Sequence, residues 1–94
     1  MIYLITYDKN TFLKNYEPLQ NAIKNCSNSW WHHMNNTWLI NTNLNANQIY
    51  NALYKHISKQ DKLLIIQIQR GVDYQGWLNE QAWDWIKKQP FNAY

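Results

Sequence analysis

Two kinds of apolar spacing alternate along this chain, and their order narrows the fold more than any single motif. Residues 1–7 put Ile2, Leu4 and Thr6 on one face of an extended segment and Tyr3, Ile5 and Tyr7 on the other, which predicts a strand apolar on both sides. Residues 8–15 are polar and read as a loop. Leu19, Ala22, Ile23 and Cys26 then recur at helical intervals, Pro18 suits a first turn, and the run from Cys26 to Ser29 ends that helix. Two segments rich in aromatic and β-branched residues follow, 30–34 and 37–42. They meet at Asn35 and Asn36, whose tolerance of positive φ suits a two-residue hairpin turn. A second helix starts at Asn45, where Gln48 completes a capping box and Leu44 and Ile49 stand at the positions of a hydrophobic staple. Its apolar stripe is Ile49, Ala52, Leu53, His56 and Ile57. After a polar turn over 59–62, residues 63–70 predict a fourth strand, and their Leu-Leu-Ile-Ile run predicts a central place covered on both faces. A loop over 71–76 leads to Asn79, the cap of a third helix over 80–88. Leu78 and Trp83 are its staple pair, Lys87 and Lys88 favour its C-terminal end, and Pro90 stops it.

Strand, helix, strand, strand, helix, strand is the order of a ferredoxin-like βαββαβ domain, class α+β, here with an additional C-terminal helix and covering residues 1–94 as one domain. Right-handed crossovers put both main helices on one face of a four-stranded antiparallel sheet. The other face still carries apolar residues, drawn from Tyr3 or Leu4, Trp38 or Leu39, and Ile65 or Ile66. A bare apolar face marks an interaction site. The third helix covers part of it in this reading, and a two-fold homodimer covers the rest.

Composition excludes several classes. With 46% hydrophobic residues the 94-residue chain can bury a core without staples. One cysteine, Cys26, leaves no internal disulfide and no multi-cysteine zinc site. No apolar run approaches the roughly 20 residues that span a bilayer. The opening MIYLITYD reads as a strand and not as a signal peptide, which implies a cytoplasmic protein. The net charge of +3 leans toward anionic partners. Eight of the nine basic residues are Lys and fourteen residues are Asn, however, a bias that an AT-rich coding genome such as that of a low-GC bacterium or its phage produces unaided.

The stretch ITYD, the helix after it and the segment SWWHHMNNTWLINT carry a resemblance. Tyr7-Asp8, Trp30-Trp31-His32, Thr37-Trp38-Leu39, the strand from Leu63 to Ile68 and Trp83 resemble the small ferredoxin-fold proteins labelled SinR-like, which are related to the small CRISPR-associated adaptation subunit. The match spans nearly the whole chain and is more specific for fold than for activity. It implies a homodimer with Asp8 near the dimer axis, holding Mg²⁺ or Mn²⁺ for phosphodiester cleavage in some relatives and serving a DNA scaffold in others. The chain departs from that pattern in lacking Arg-rich segments, and in ending with a helix where those proteins add a strand used in dimer exchange.

Each candidate residue has a plainer alternative. Asp8 is the catalytic and metal candidate, since a carboxylate and its symmetry mate can hold a hard cation; the alternative is an aspartate that caps the next loop. His32 and His33 are adjacent on a strand, face opposite ways and cannot share a metal. His33 is a candidate acid, base or ligand contact, and His56 reads as a half-buried stripe residue. Trp31, Trp77 and Trp85 are candidates for stacking on bases, against core packing as the alternative. Lys9, Lys14 and Arg70, with Lys87 and Lys88, flank the first loop, the last strand's end and the terminal helix and are candidates for an anion site, against the plainer reading of solvated charge that keeps the protein soluble.

These readings converge on a homodimer that binds a nucleic acid or small nucleotide. Its enzyme version is at most a metal-dependent phosphodiesterase. The alternatives are a phage protein that sequesters a nucleotide immune signal without catalysis, and a protein-interaction module that uses the apolar sheet face.

Overall fold

A computed structural model describes residues 1–9 and 15–89. Strand β1 (Ile2–Asp8) leads to helix α1 (Glu17–Cys26), and strands β2 (Ser29–Met34) and β3 (Thr37–Asn41) form a hairpin. Helix α2 (Ala46–Leu53) tightens into a 3₁₀ turn over Tyr54–His56 before strand β4 (Lys62–Ile68), and helix α3 (Glu80–Lys87) closes the described chain. The four strands form one antiparallel sheet in the order β2-β3-β1-β4. The α+β class, the element order and the extra C-terminal helix are those the spacing predicts. Among the described residues no helix is long and apolar enough to cross a membrane.

The core divides by sheet face. On one face Tyr3, Ile5 and Tyr7 of β1 and Trp38 and Ile40 of β3 meet Leu19 and Ile23 of α1 and Ile49 and Leu53 of α2. On the other, α3 lays Ala82 and Ile86 against Ile2 and Trp31, with Leu39 and Ile68 beside them. Trp31 and Trp38 anchor opposite faces because side chains alternate along strands, and Trp31 on β2 and Trp38 on β3 belong to opposite sets. The capping box predicted for α2 is complete: Gln48 N–H donates to Asn45 Oδ1 at 2.8 Å, and Asn45 N–H donates to Gln48 Oε1 at 2.9 Å. Asn79 caps α3 by accepting from Ala82 N–H at 2.8 Å.

Three expectations are corrected. Strand β4 is not central but an edge, because two crossovers place β1 and β3 in the middle; Leu64 and Ile66 are 55% and 49% exposed. An apolar run therefore does not prove cover on both faces. The Asn35-Asn36 turn uses no positive φ. Turns without it splay the flanking strands, and the irregular register between Trp31 and Met34 accommodates that mismatch. The polar turn before β4 hides a buried acid. Asp61 accepts from Tyr16 O–H at 2.8 Å and from Ser58 N–H at 3.1 Å, which ties the entry of α1 to that of β4.

Candidate functional site

Helix α3 reaches only the half of its sheet face that lies toward Ile2, Trp31, Leu39 and Ile68, leaving the half toward Leu64 and Ile66 in solvent. A hollow of about 260 Å³ opens between that helix, the sheet and the connection that follows β4. Leu39, Ile68 and Ile86 form its apolar base, while Tyr74, Leu78 and Trp83 wall it and Asp73 and Gln75 supply polar groups. The connection turns at Gly71, where φ is 74°, a conformation costly for any residue with a Cβ. That turn lets the chain leave the edge strand and pass to the second face. The rings of Tyr74 and Trp83 lie 6.3 Å apart with 29° between their planes, at the wide end of stacked aromatic pairs. Tyr74 is 42% exposed. A concave, mostly apolar site with a few polar groups on its wall is the ordinary form of a small-molecule pocket.

The sequence-predicted residues do not gather at one place. Asp8 ends β1 directly across from Lys62 and lines a second, shallower hollow with Thr6 and Leu64. Among the described residues no three His, Cys, Asp or Glu side chains come together as a metal-binding group. Within one chain, then, Asp8 brings a single carboxylate, with Lys62 as its register partner on β4, a poor donor set for Mg²⁺ or Mn²⁺. Ile2 pairs with Ile68 and Asp8 with Lys62, so Lys9 follows one end of the sheet and Arg70 the other. Lys9 and Arg70 therefore do not gather into one anion site: the seven-residue strands alone hold them at least roughly 20 Å apart. Lys9 sits over the Tyr16 ring at 5.0 Å. Lys87 ends α3, and Gln89 just beyond it accepts from Asn41 at the Arg70 end of the sheet. Lys14 lies outside the described residues, as does the proposed stop at Pro90.

The two adjacent histidines face opposite ways, as their spacing requires. His32 stacks on Trp38 at 3.8 Å and 11°, and His33 leans on Trp31 at 5.2 Å. His33 is exposed on β2 and separated from β1 and Asp8 by β3. Trp31 is corrected as a ligand contact: it is 4% exposed and its Nε1–H donates to Ala82 C=O at 3.1 Å, so α3 occupies it. Trp77 is fully exposed on the connection. Trp85 is half-buried, and its Nε1–H is buried without a partner among the described residues. A stranded donor costs about 1–3 kcal/mol. Trp85→Phe removes it together with some apolar contact, and the expected result is a thermal midpoint within a few degrees of the parent's. A large drop in midpoint would show that the indole N–H is paired in solution. Burial pushes the Cys26 thiol up from its ordinary value, away from nucleophilic use.

Sequence reasoning missed Tyr74, Asp73 and Gln75. The available signal was an aromatic residue between Gly71 and Gly76, just ahead of a Trp-rich helix. No protein-family model, curated protein or solved structure matches the chain.

Proposed function

We propose that this protein is a ferredoxin-like homodimer that binds a nucleotide or a single-stranded nucleic acid, holding a base in the hollow beneath α3. The observation that carries the reading is the aromatic wall of Tyr74 and Trp83 on an apolar base, with Asp73 and the Gln75 side-chain N–H₂ beside it to hydrogen-bond a base edge, Gln75 Oε1 accepting from Gly76 N–H at 3.2 Å. Stacking on such walls is worth about 1–3 kcal/mol per base and tolerates any base identity. Arg70 begins the same connection and is exposed, which suits it to a phosphate near the mouth. The resemblance to the CRISPR-associated subunit agrees with a nucleic-acid or nucleotide ligand.

The test is calorimetric titration of the full chain with nucleoside monophosphates, cyclic dinucleotides and a short single-stranded oligonucleotide. At least one is expected to saturate, and Tyr74→Ala is expected to weaken it by about 5- to 150-fold, the equivalent of one lost stack. Tyr74 is exposed enough for this variant to fold. No saturable binding by any of the set, or equal binding by Tyr74→Ala, overturns the reading. A second reading, an apolar protein-binding face, is favoured by Leu64, Ile66 and Met34, which are 55%, 49% and 52% exposed.

A further inference from the structure

The sheet has two edges, and they differ. Strand β2 is blunted by its irregular register and its two histidines, as edges exposed to solvent commonly are. Strand β4 has none of these protections. It runs for seven residues in unbroken register with β1, contains no proline, and bears its one charge at Lys62, the first residue. A long, regular and apolar edge is a template for another strand.

The hydrogen-bond parity identifies the free groups. Tyr7 N–H donates to Asn36 C=O, and Met1 C=O accepts from Thr42 N–H, so the odd-numbered residues of the first strand address β3. In an antiparallel ladder a residue's N–H and C=O point to the same side, so the even-numbered residues Ile2, Leu4, Thr6 and Asp8 address β4. Their register partners are Ile68, Ile66, Leu64 and Lys62. The N–H and C=O groups of Leu63, Ile65 and Gln67 therefore point outward, and none has a partner among the described residues.

We infer that the outer edge of β4 pairs antiparallel with β4 of a second copy of this chain, about a two-fold axis at Ile65, forming one continuous eight-stranded sheet. The free groups are spaced symmetrically about Ile65. In this register Ile65 exchanges both its bonds with Ile65 of the other copy, and Leu63 exchanges both with Gln67, leaving no outward group unpaired. Leu64 and Ile66 become cross-strand neighbours on the uncovered face. On the helix side Tyr50 and Tyr54, 50% and 55% exposed and stacked at 5.9 Å, line a hollow with Leu63 beside the same edge, so both layers flanking the strand gain cover. The two copies of Lys62 fall at opposite ends of the paired strands, roughly 20 Å apart along the strand direction. That self-complementarity is the reason to assign a second copy over a foreign peptide, which β-augmentation also accepts. The inference supplies the dimer in the reading above and is independent of its ligand: nucleotide binding can fail with the dimer intact, and the reverse.

Sedimentation equilibrium over a concentration series, with amide exchange read by NMR, tests it on the full chain. The expected mass is twice 11.4 kDa. The amides of Leu63, Ile65 and Gln67 should become protected in step with dimer formation. Gln67→Pro removes an outward donor that β1 does not use, at an edge position where proline is tolerated, and should give a folded monomer. If that variant loses its circular dichroism, the double variant Leu64→Lys with Ile66→Lys replaces it. It changes two exposed side chains, sets ammonium groups directly opposite one another across the axis, and should also be monomeric. A parent monomeric at every concentration overturns the inference. So does a dimer in which those three amides exchange freely, since that dimer packs face to face.

Discussion

Trp38→Ala is expected to remove about 3–5 kcal/mol of folding stability, the usual cost of emptying a buried aromatic site. A domain of 94 residues holds about 5–14 kcal/mol in all, so the change takes a large fraction of it. Trp38 is the largest fully buried side chain, set in the middle of β3 beneath both α1 and α2. Its ring stacks on His32, touches Trp30 at 5.4 Å, and donates from Nε1–H to the Tyr7 hydroxyl at 3.3 Å. No neighbour can collapse into the space, because those on the sheet are held by strand pairing and those on the helices face one another across it. Urea denaturation followed by far-ultraviolet circular dichroism should show a much lower midpoint with an unchanged slope. Trp38→Phe keeps most of the ring contact and loses only the long hydrogen bond, so its cost should be nearer about 1 kcal/mol. Equal midpoints for Trp38→Ala and the parent would mean that the ring is not packed as described.

Trp31→Ala should cost a comparable amount but express it locally. Trp31 belongs to the second, smaller cluster with Ile2, Ala82 and Ile86, and its bond to Ala82 C=O joins β2 to α3. Helix α3 has eight residues, and isolated helices shorter than about 12–15 residues are marginal in water. Once the ring is gone the helix has too little contact to remain ordered on the sheet. Amide exchange of residues 80–87 is expected to accelerate sharply while Tyr3, Ile5 and Tyr7 stay protected, the pattern of a subglobal opening. The hollow lined by Trp83 and Ile86 disappears with the helix, so the binding proposed for that hollow should vanish in the same variant. Uniform loss of protection across the sheet would show instead that the two clusters unfold as one unit.

Much of the fold was legible because its signals are local. The Asn45–Gln48 capping box and the Asn79 cap depend on residues three apart, and both form as read. The opposed faces of His32 and His33 follow from strand alternation alone. The candidate site was far less legible because it is assembled from distant segments. Tyr74 matters only where the connection passes over Leu39, a neighbour some 35 residues away in sequence. Trp31 reads as a free aromatic until α3 lands on it, and Lys9 and Arg70 read as neighbours until the register sets them at opposite ends. Asp61 looked like a solvated turn residue, and only the folded chain brings Tyr16 to it.

Strand β4 marks the division between the two sources most clearly. Its sequence predicts an extended segment over 63–70, apolar on both faces through Leu63 to Ile66, since period-two exposure and β-branched side chains act within a few residues. It did not determine whether those faces would be covered, because cover depends on which strands and helices the crossovers bring alongside. The tertiary structure placed β4 at the edge, turned Leu63, Ile65 and Gln67 outward and left Leu64 and Ile66 in solvent. Local periodicity sets what a segment can bury, and long-range topology decides what it meets.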